Sequence, residues 1–343
     1  YIDYGMGLHS VILGYSHPKV TSMVTEAIQN GINLTLMHPY EVEVAKLLKE
    51  WIPCAEMVRF TKTGSEATSA AVKIARAVTN RDHVAVCGYN GWHDWFIGST
   101  ERNAGIPQVV KELVHPFEYN NIESLEKIFI NNKNQISAVI MEPCGVIPPE
   151  DNFLSNCKKL AKNNGALLIF DEIITGIRWN KGGAQSLYKV IPDIALFGKC
   201  LANGMPLAAV LGKKEYMNVL NDEGVFISST YGGEIASLAA CKAVHEVIEE
   251  ENVIEFIWER GKDLLTGFNK VVGDNELSDA LQMTGFPCRP VVSFKEYKEN
   301  SPCLIKSFIQ QECAKKGLLF TGYFAISLAH SSKIINKSLN IFE

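Results

Sequence analysis

Between about residues 40 and 250 the chain alternates short apolar runs with helix-length amphipathic stretches, a rhythm that few folds accept. The runs at 83–87, 138–141, 166–170 and 194–197 are rich in Val, Ile, Leu and Phe. Strands that read as unbroken apolar runs are buried on both faces, as in a parallel sheet covered by helices on each side. Helical patterns fall between them at 66–79, 122–131 and 153–164, the last stopping before Gly165, which suits the left-handed turn that ends a helix. The spacing predicts an α/β fold whose mainly parallel sheet is sandwiched by helices. A long helical stretch from Ile235 to about Glu251 closes this large domain, read as residues 40–250. Residues 251–343 carry weaker strand signals broken by Pro and Gly and read as a smaller α+β domain, with which residues 1–39 associate. Two domains suit a chain of 343 residues, because single cores stop growing at roughly 250–300 residues. The chain begins in a strand pattern and ends soon after a polar helical one, so both natural termini are expected to lie outside it.

A net charge of −5 and the lack of a sustained basic cluster argue against nucleic acid as a partner. Nine cysteines are scattered without a C-x-x-C pair and sit mostly in apolar stretches. That usage predicts reduced thiols and a cytoplasmic protein, and no metal site is expected. No apolar run approaches the ~20 residues of a membrane span, and residues 1–7 are not a signal sequence, so no membrane partner is expected.

Four segments carry chemistry. Asp171 ends the run Ala166-Leu-Leu-Ile-Phe170 at the carboxyl edge of a buried strand, where open α/β sheets place their ligands. Alone it reads equally as a site acid or as a helix N-cap. Lys199 follows Ile194-Ala-Leu-Phe-Gly198 at a second such edge and precedes the turn Ala202-Asn-Gly-Met-Pro206. Desolvation there lowers the pKa of an amine and makes it a nucleophile toward carbonyls, although an isolated strand-end lysine is more often a surface residue. In Thr63-Gly-Ser-Glu-Ala-Thr68 a small-residue turn leads into a helix. It offers free N–H groups and the positive end of the dipole to an anion, or is a plain cap. The segment lacks the signatures of a P-loop and of a dinucleotide fingerprint, so ATP and NAD are poor candidates. Tyr89-Asn-Gly-Trp-His-Asp-Trp95 offers a flat aromatic face, or packs in the core. Together the four describe a phosphorylated aromatic ring that needs an acid, a stacking partner, a phosphate cradle and an amine.

In these segments the chain resembles class III, fold-type I pyridoxal-5'-phosphate (PLP) aminotransferases, especially their glutamate-1-semialdehyde aminomutase-like branch. The likeness covers nearly the whole chain. It is strongest at Tyr1-Ile-Asp-Tyr4 through Leu13-Gly-Tyr-Ser-His-Pro18, at residues 63–68, at Phe170-Asp-Glu-Ile-Ile-Thr-Gly-Ile-Arg178, at Gly198-Lys199 and at Ser229-Thr-Tyr-Gly-Gly233. It implies a seven-stranded-type sheet, PLP as cofactor, and Lys199 as the amine that holds it as a Schiff base and shuttles the substrate proton. It further implies that Asp171 keeps the pyridine nitrogen protonated and that Ile173 and Tyr89 sandwich the ring. Gly64 and Ser65 would hold the phosphate from one subunit and Thr230 from the other, in a homodimer with shared sites. An intact Lys199 and Asp171 argue against a cofactor-free descendant of the fold.

Aminomutases of this branch shelter a reactive intermediate with a mobile, small-residue-rich loop past the aromatic turn. The corresponding segment, 95–107, is shorter here. That favours a transaminase moving an amino group from a donor such as glutamate to a carbonyl acceptor, a sugar or a semialdehyde, over the aminomutase itself. Glu142 matches a glutamate that in ornithine-type relatives pairs with a substrate-binding arginine, and residues 322–330, the matching region, contain none. Glu142 then either faces the substrate amine or is a satisfied buried acid. Trp92 and His9 are further substrate candidates, as are His93, Arg102 and Arg289, each also readable as structural.

Overall fold

The computed structural model describes residues 1–221 and 224–343. Its strands are β1 (Ile2–Asp3), β2 (Met57–Thr61), β3 (His83–Cys87), β4 (Val114–Pro116), β5 (Ile136–Met141), β6 (Leu167–Asp171), β7 (Ile194–Phe197), β8 (Ala208–Gly212), β9 (Leu281–Phe286), β10 (Arg289–Phe294) and β11 (Leu318–Leu319). Seven form one sheet in the order β2-β8-β7-β6-β5-β3-β4. Neighbours pair in parallel from β7 to β4, while β8 is antiparallel to both β2 and β7. A single strand therefore runs against the other six, and the expected mainly parallel sheet is present.

Alternation along each strand divides the residues between two cores. Val84, Val86, Ala138, Ile140, Ile169, Leu196 and Val210 face a layer formed by the helix Gly64–Thr79. That helix presents Ala67, Ala70, Ala71 and Ala75, small side chains that let it lie close to the sheet. On the opposite face Ala85, Val139, Met141, Leu168 and Phe170 meet the helices Ile122–Asn131 and Phe153–Asn163. Ala195, Phe197, Ala209 and Leu211 face the core that includes the helix Ile235–Glu251. Every residue of β5 is buried, as its unbroken apolar run requires.

The predicted elements recur with small shifts. The strand expected at 166–170 lies one residue later and takes in Asp171, and the helix expected from residue 66 begins at Gly64. Gly165 has φ 67, the conformation expected of it. Two strands of the large sheet escaped the sequence pattern. β8 is a run of small residues behind the Pro206 turn. β4 is a three-residue edge strand containing Pro116, a residue tolerated only where a ladder hydrogen bond is not needed.

Beyond the sheet, the helix Val253–Asp274 leads to the hairpin β9–β10, and the helices Pro302–Lys315 and Ser332–Phe342 flank β11. β1 pairs in parallel with β11, and the helix Pro18–Ile28 lies along Ile235–Glu251. All nine cysteines are free and only Cys303 is exposed. No helix among the described residues is long and apolar enough to cross a membrane.

Candidate active site

A cavity of about 310 Å³ opens at the carboxyl edge of β5, β6 and β7. Gly64, Ser65, Tyr89, Glu142, Asp171, Ile173 and Lys199 all line it, together with Ser10, Lys62, Thr68 and Gly91. Parallel strands end together here. Each loop after a strand end delivers one side chain to the same place.

Asp171 is 4% exposed, and its carboxylate accepts a hydrogen bond from Ile173 N–H (3.1 Å). No helix starts after it, so the N-cap reading of this acid falls away. Burial, with Glu142 nearby, pushes its pKa up to about 8. Lys199 has φ 44, a left-handed conformation that costs a non-glycine residue about 1–3 kcal/mol and clusters at functional sites. Burial lowers its pKa although Asp171 and Glu142 pull it upward.

Glu172, beside Asp171, points the other way and is fully buried. It accepts from Thr175 Oγ1, Ala184 N–H (2.7 Å) and Gln185 N–H (2.9 Å). It thereby pins the loop that carries Ile173.

The phosphate-cradle segment is held by a capping box. Thr63 Oγ1 accepts from Glu66 N–H (3.2 Å), and the Glu66 carboxylate accepts from the N–H groups of Thr63 (3.2 Å) and Lys62 (2.7 Å). The helix Gly64–Thr79 thus presents its first N–H groups to the cavity. A Cβ on Gly64 would press on Ile173 at 3.3 Å. The aromatic turn docks on the same helix end, where Trp92 N–H donates to Ser65 Oγ (3.2 Å). Gly91, at φ +96, makes that approach possible, since a Cβ there would lie 2.6 Å from Ser65 Oγ and 3.0 Å from Ser65 Cα.

The other expected residues are more widely spread. Tyr89 is 57% exposed with its ring against Phe96, and its N–H donates to Glu142 Oε2 (2.9 Å). Glu142 is half-buried, and desolvation raises its pKa. Trp92 is 67% exposed, and neither it nor His9 lines the cavity. Thr230 sits on an exposed turn outside the cavity of its own chain. His93 bonds to Ser69 Oγ (2.7 Å), and the backbone of Arg102 to Thr100.

Lys62 was not anticipated. Its Nζ reaches the cavity lining while paired with Glu234 (2.7 Å) and Pro206 O (2.9 Å). Its place just before the Thr-Gly-Ser turn was the available signal. Gly91 and Ser10 were missed as lining residues, because their contribution depends on contacts distant in sequence.

A mainly parallel sheet with one reversed strand, a buried acid, a free amine and a helix N-terminus around one cavity defines a cofactor-dependent α/β enzyme. The chain belongs to the class III aminotransferase family, whose model matches residues 1–323. It is 36% identical over 303 residues to a 3-aminobutyryl-CoA aminotransferase of Cloacimonas acidaminovorans, a match covering 86% of this chain and 72% of that protein. It is 31% identical to a glutamate-1-semialdehyde 2,1-aminomutase of Aquifex aeolicus, over 99% of this chain and 86% of the other. Its fold superposes on a transaminase with PLP bound at a TM-score of 0.93 and 24% identity, covering 99% of this chain and 85% of the other. It superposes on the PLP internal aldimine form of the Sphingopyxis sp. MTA144 FumI protein at 0.92 and 25% identity, covering 100% of this chain and 83% of that one. The protein is therefore a PLP-dependent enzyme of the aminotransferase type.

The residues present fit that cofactor. A carboxyl whose charged form is disfavoured by burial and has one backbone donor is stabilised as a carboxylate by a cationic N–H, which a pyridinium would provide. A cavity of about 310 Å³ is at the lower end of small-molecule sites.

Proposed function

We propose that this protein is a transaminase that moves an amino group from a donor such as glutamate to a carbonyl acceptor, a sugar or a semialdehyde, with Lys199 and Asp171 as its working groups. One observation carries the reading: a desolvated amine and a buried acid, at the ends of adjacent strands, open into the same cavity. Bound PLP supplies an electron sink for the negative charge that develops at the substrate carbon. Lys199 Nζ is the amine that holds the cofactor aldehyde. Its neutral amine would also serve as the base that accepts the substrate-carbon proton and gives it back. Burial favours its neutral form, the form that acts as nucleophile and base.

Asp171 keeps the ring nitrogen protonated. Beside that cation its carboxyl ionises, and the cost of burying it is offset by the pair. Ile173 and Tyr89 hold the ring between them. Gly64 and Ser65 bind the phosphate through the helix end, and Thr230 of the partner subunit completes that contact. A homodimer is supported by exposed apolar residues: Leu36 and Met37 stand out to solvent, and Met37 lines a second cavity of about 410 Å³ with Ser229, Gly232 and Gly233. The free cysteines support a reducing, cytoplasmic setting. The working division is a large PLP-binding domain at 40–250 and a smaller one at 251–343, to which β1, paired with β11, ties residues 1–39.

The second reading is glutamate-1-semialdehyde 2,1-aminomutase, favoured by relatives of that name that align with nearly the whole chain. Against it, residues 95–107 form a short, tied-down segment. Trp95 and Phe96 are buried, Trp95 Nε1 donates to Ser69 Oγ (3.0 Å), and Lys111 Nζ bonds Asn103 Oδ1 (3.1 Å). The test loads the purified protein with PLP and follows its visible band. Loss of the band on adding glutamate, with amino transfer to a keto-sugar or semialdehyde, supports the transaminase. Failure to take up PLP, or efficient isomerisation of glutamate-1-semialdehyde, overturns it.

A further inference from the structure

Lys62, which no role above uses, follows β2 directly, and its two ends do different things. Its backbone N–H donates to the Glu66 carboxylate (2.7 Å) and so belongs to the capping box that shapes the cradle. Its ammonium crosses to two segments distant in sequence, pairing with Glu234 (2.7 Å) and donating to Pro206 O (2.9 Å). The paired side chains are only 11% and 9% exposed, and Lys62 and Pro206 both line the cavity.

Both segments that it reaches are irregular. Residues 203–207 join the turn after Lys199 to β8, and residues 224–234 contain neither helix nor strand. Backbone without a ladder of its own takes its position from the side chains that grip it. Arg59 donates to Ile227 O (2.8 Å) and Lys73 to Phe226 O (3.0 Å), both in contact with solvent. Glu234 ends this segment. Besides Lys62, it accepts from Ala236 and Ser237 N–H (2.9 and 3.1 Å) at the start of the helix Ile235–Glu251. Screening weakens exposed contacts most, so the shielded Lys62–Glu234 pair is the firmer hold. Burial acts to raise the pKa of Glu234, yet Lys62 and Ser237 hold it below the ordinary carboxylate value. A lysine whose charge is matched in this way suits holding backbone better than attracting a phosphate.

We propose that Lys62 is a positioning residue for the cofactor phosphate. Through Glu234 it sets the turn that offers Thr230 to the partner subunit, and through Pro206 O the wall beside the cradle that its own N–H helps to form. This rests on the phosphate site proposed above, and adds the residue that keeps its separate parts in register.

The full chain is titrated with PLP and, separately, with pyridoxal, which lacks the phosphate, and the visible band reports binding. In Lys62→Met, PLP affinity falls by about 10-fold or more, while pyridoxal affinity changes far less. Glu234→Gln produces a similar loss, and the two substitutions together lose no more than either alone. Lys62→Arg, which keeps the charge and the reach, retains most of the affinity. If Lys62→Met does not fold, Glu234→Gln and Lys62→Arg carry the test. A loss in Lys62→Met with none in Glu234→Gln makes Lys62 a direct phosphate contact and overturns positioning. Equal losses for PLP and pyridoxal, or losses that add, overturn it too. Sedimentation velocity accompanies each titration. Weaker PLP binding in a variant that sediments like the parent supports the proposal, and weaker binding only where subunits dissociate overturns it. A parent that sediments as a monomer removes the partner's Thr230 from the phosphate site, while the comparison of PLP with pyridoxal still decides for Lys62. Because every readout is cofactor binding, the result does not depend on whether glutamate is the donor.

Discussion

Asp171, the proposed partner of the cofactor's ring nitrogen, is a buried acid with one backbone donor. Without the cofactor, its carboxyl is pushed up to about 8 in the folded chain, against an ordinary value of 3.8. Between those values the folded protein keeps a proton that the unfolded chain has lost. This group's contribution to stability is therefore full below the lower value, falls as pH rises, and is gone above the higher one. Asp171→Asn removes the titration. In cofactor-free protein the melting temperature of the variant is expected to gain on the parent between pH of about 5 and about 8.5. An offset independent of pH would contradict the assignment. Lys199→Ala is expected to lower transamination by about 10²–10⁴-fold. The absorption band of the covalently held cofactor should be replaced by that of free PLP, which spectrophotometry checks directly.

At the scale of elements, the proposed phosphate cradle is a junction between the helix Gly64–Thr79 and the aromatic turn. Thr63→Ala removes half of the capping box and is expected to cost about 1 kcal/mol, measured by denaturant unfolding. Gly91→Ala does something different, because its new Cβ meets the backbone and hydroxyl of Ser65. It is expected to weaken PLP binding by about 10-fold or more, a shift of roughly 1.4 kcal/mol, with a smaller effect on unfolding. Equilibrium titration with PLP distinguishes the two. The helix start was readable from Thr63 and Glu66, which satisfy each other locally. The docking of Gly91 on Ser65 was not, since it joins loops from two different strand ends.

For the molecule as a whole, the homodimer proposed above would place the 229–233 turn at its interface. Leu36 is 82% exposed and adjoins Met37, which lines a cavity together with Ser229 and Gly232 of the turn that holds Thr230. Leu36→Glu is expected to shift the protein from dimer to monomer in sedimentation velocity and to weaken PLP binding, because the phosphate contact from the partner is lost. A variant that stays dimeric with unchanged affinity would move the interface elsewhere.

By itself the sequence determined the α/β class, the strand ends bearing Asp171 and Lys199, and the helix that begins at Thr63. Each depends on local periodicity, or on a side chain closing a hydrogen bond with its near neighbours. Tertiary structure decided what needed distant segments. It reversed β8 against its neighbours, brought Lys62 to Glu234, and set Arg289 on Tyr323, within the segment 322–330 that has no arginine of its own. Those contacts depend on register between strands and on which loops share an edge of the sheet. That information lies in packing across the molecule, outside the reach of any short window of residues.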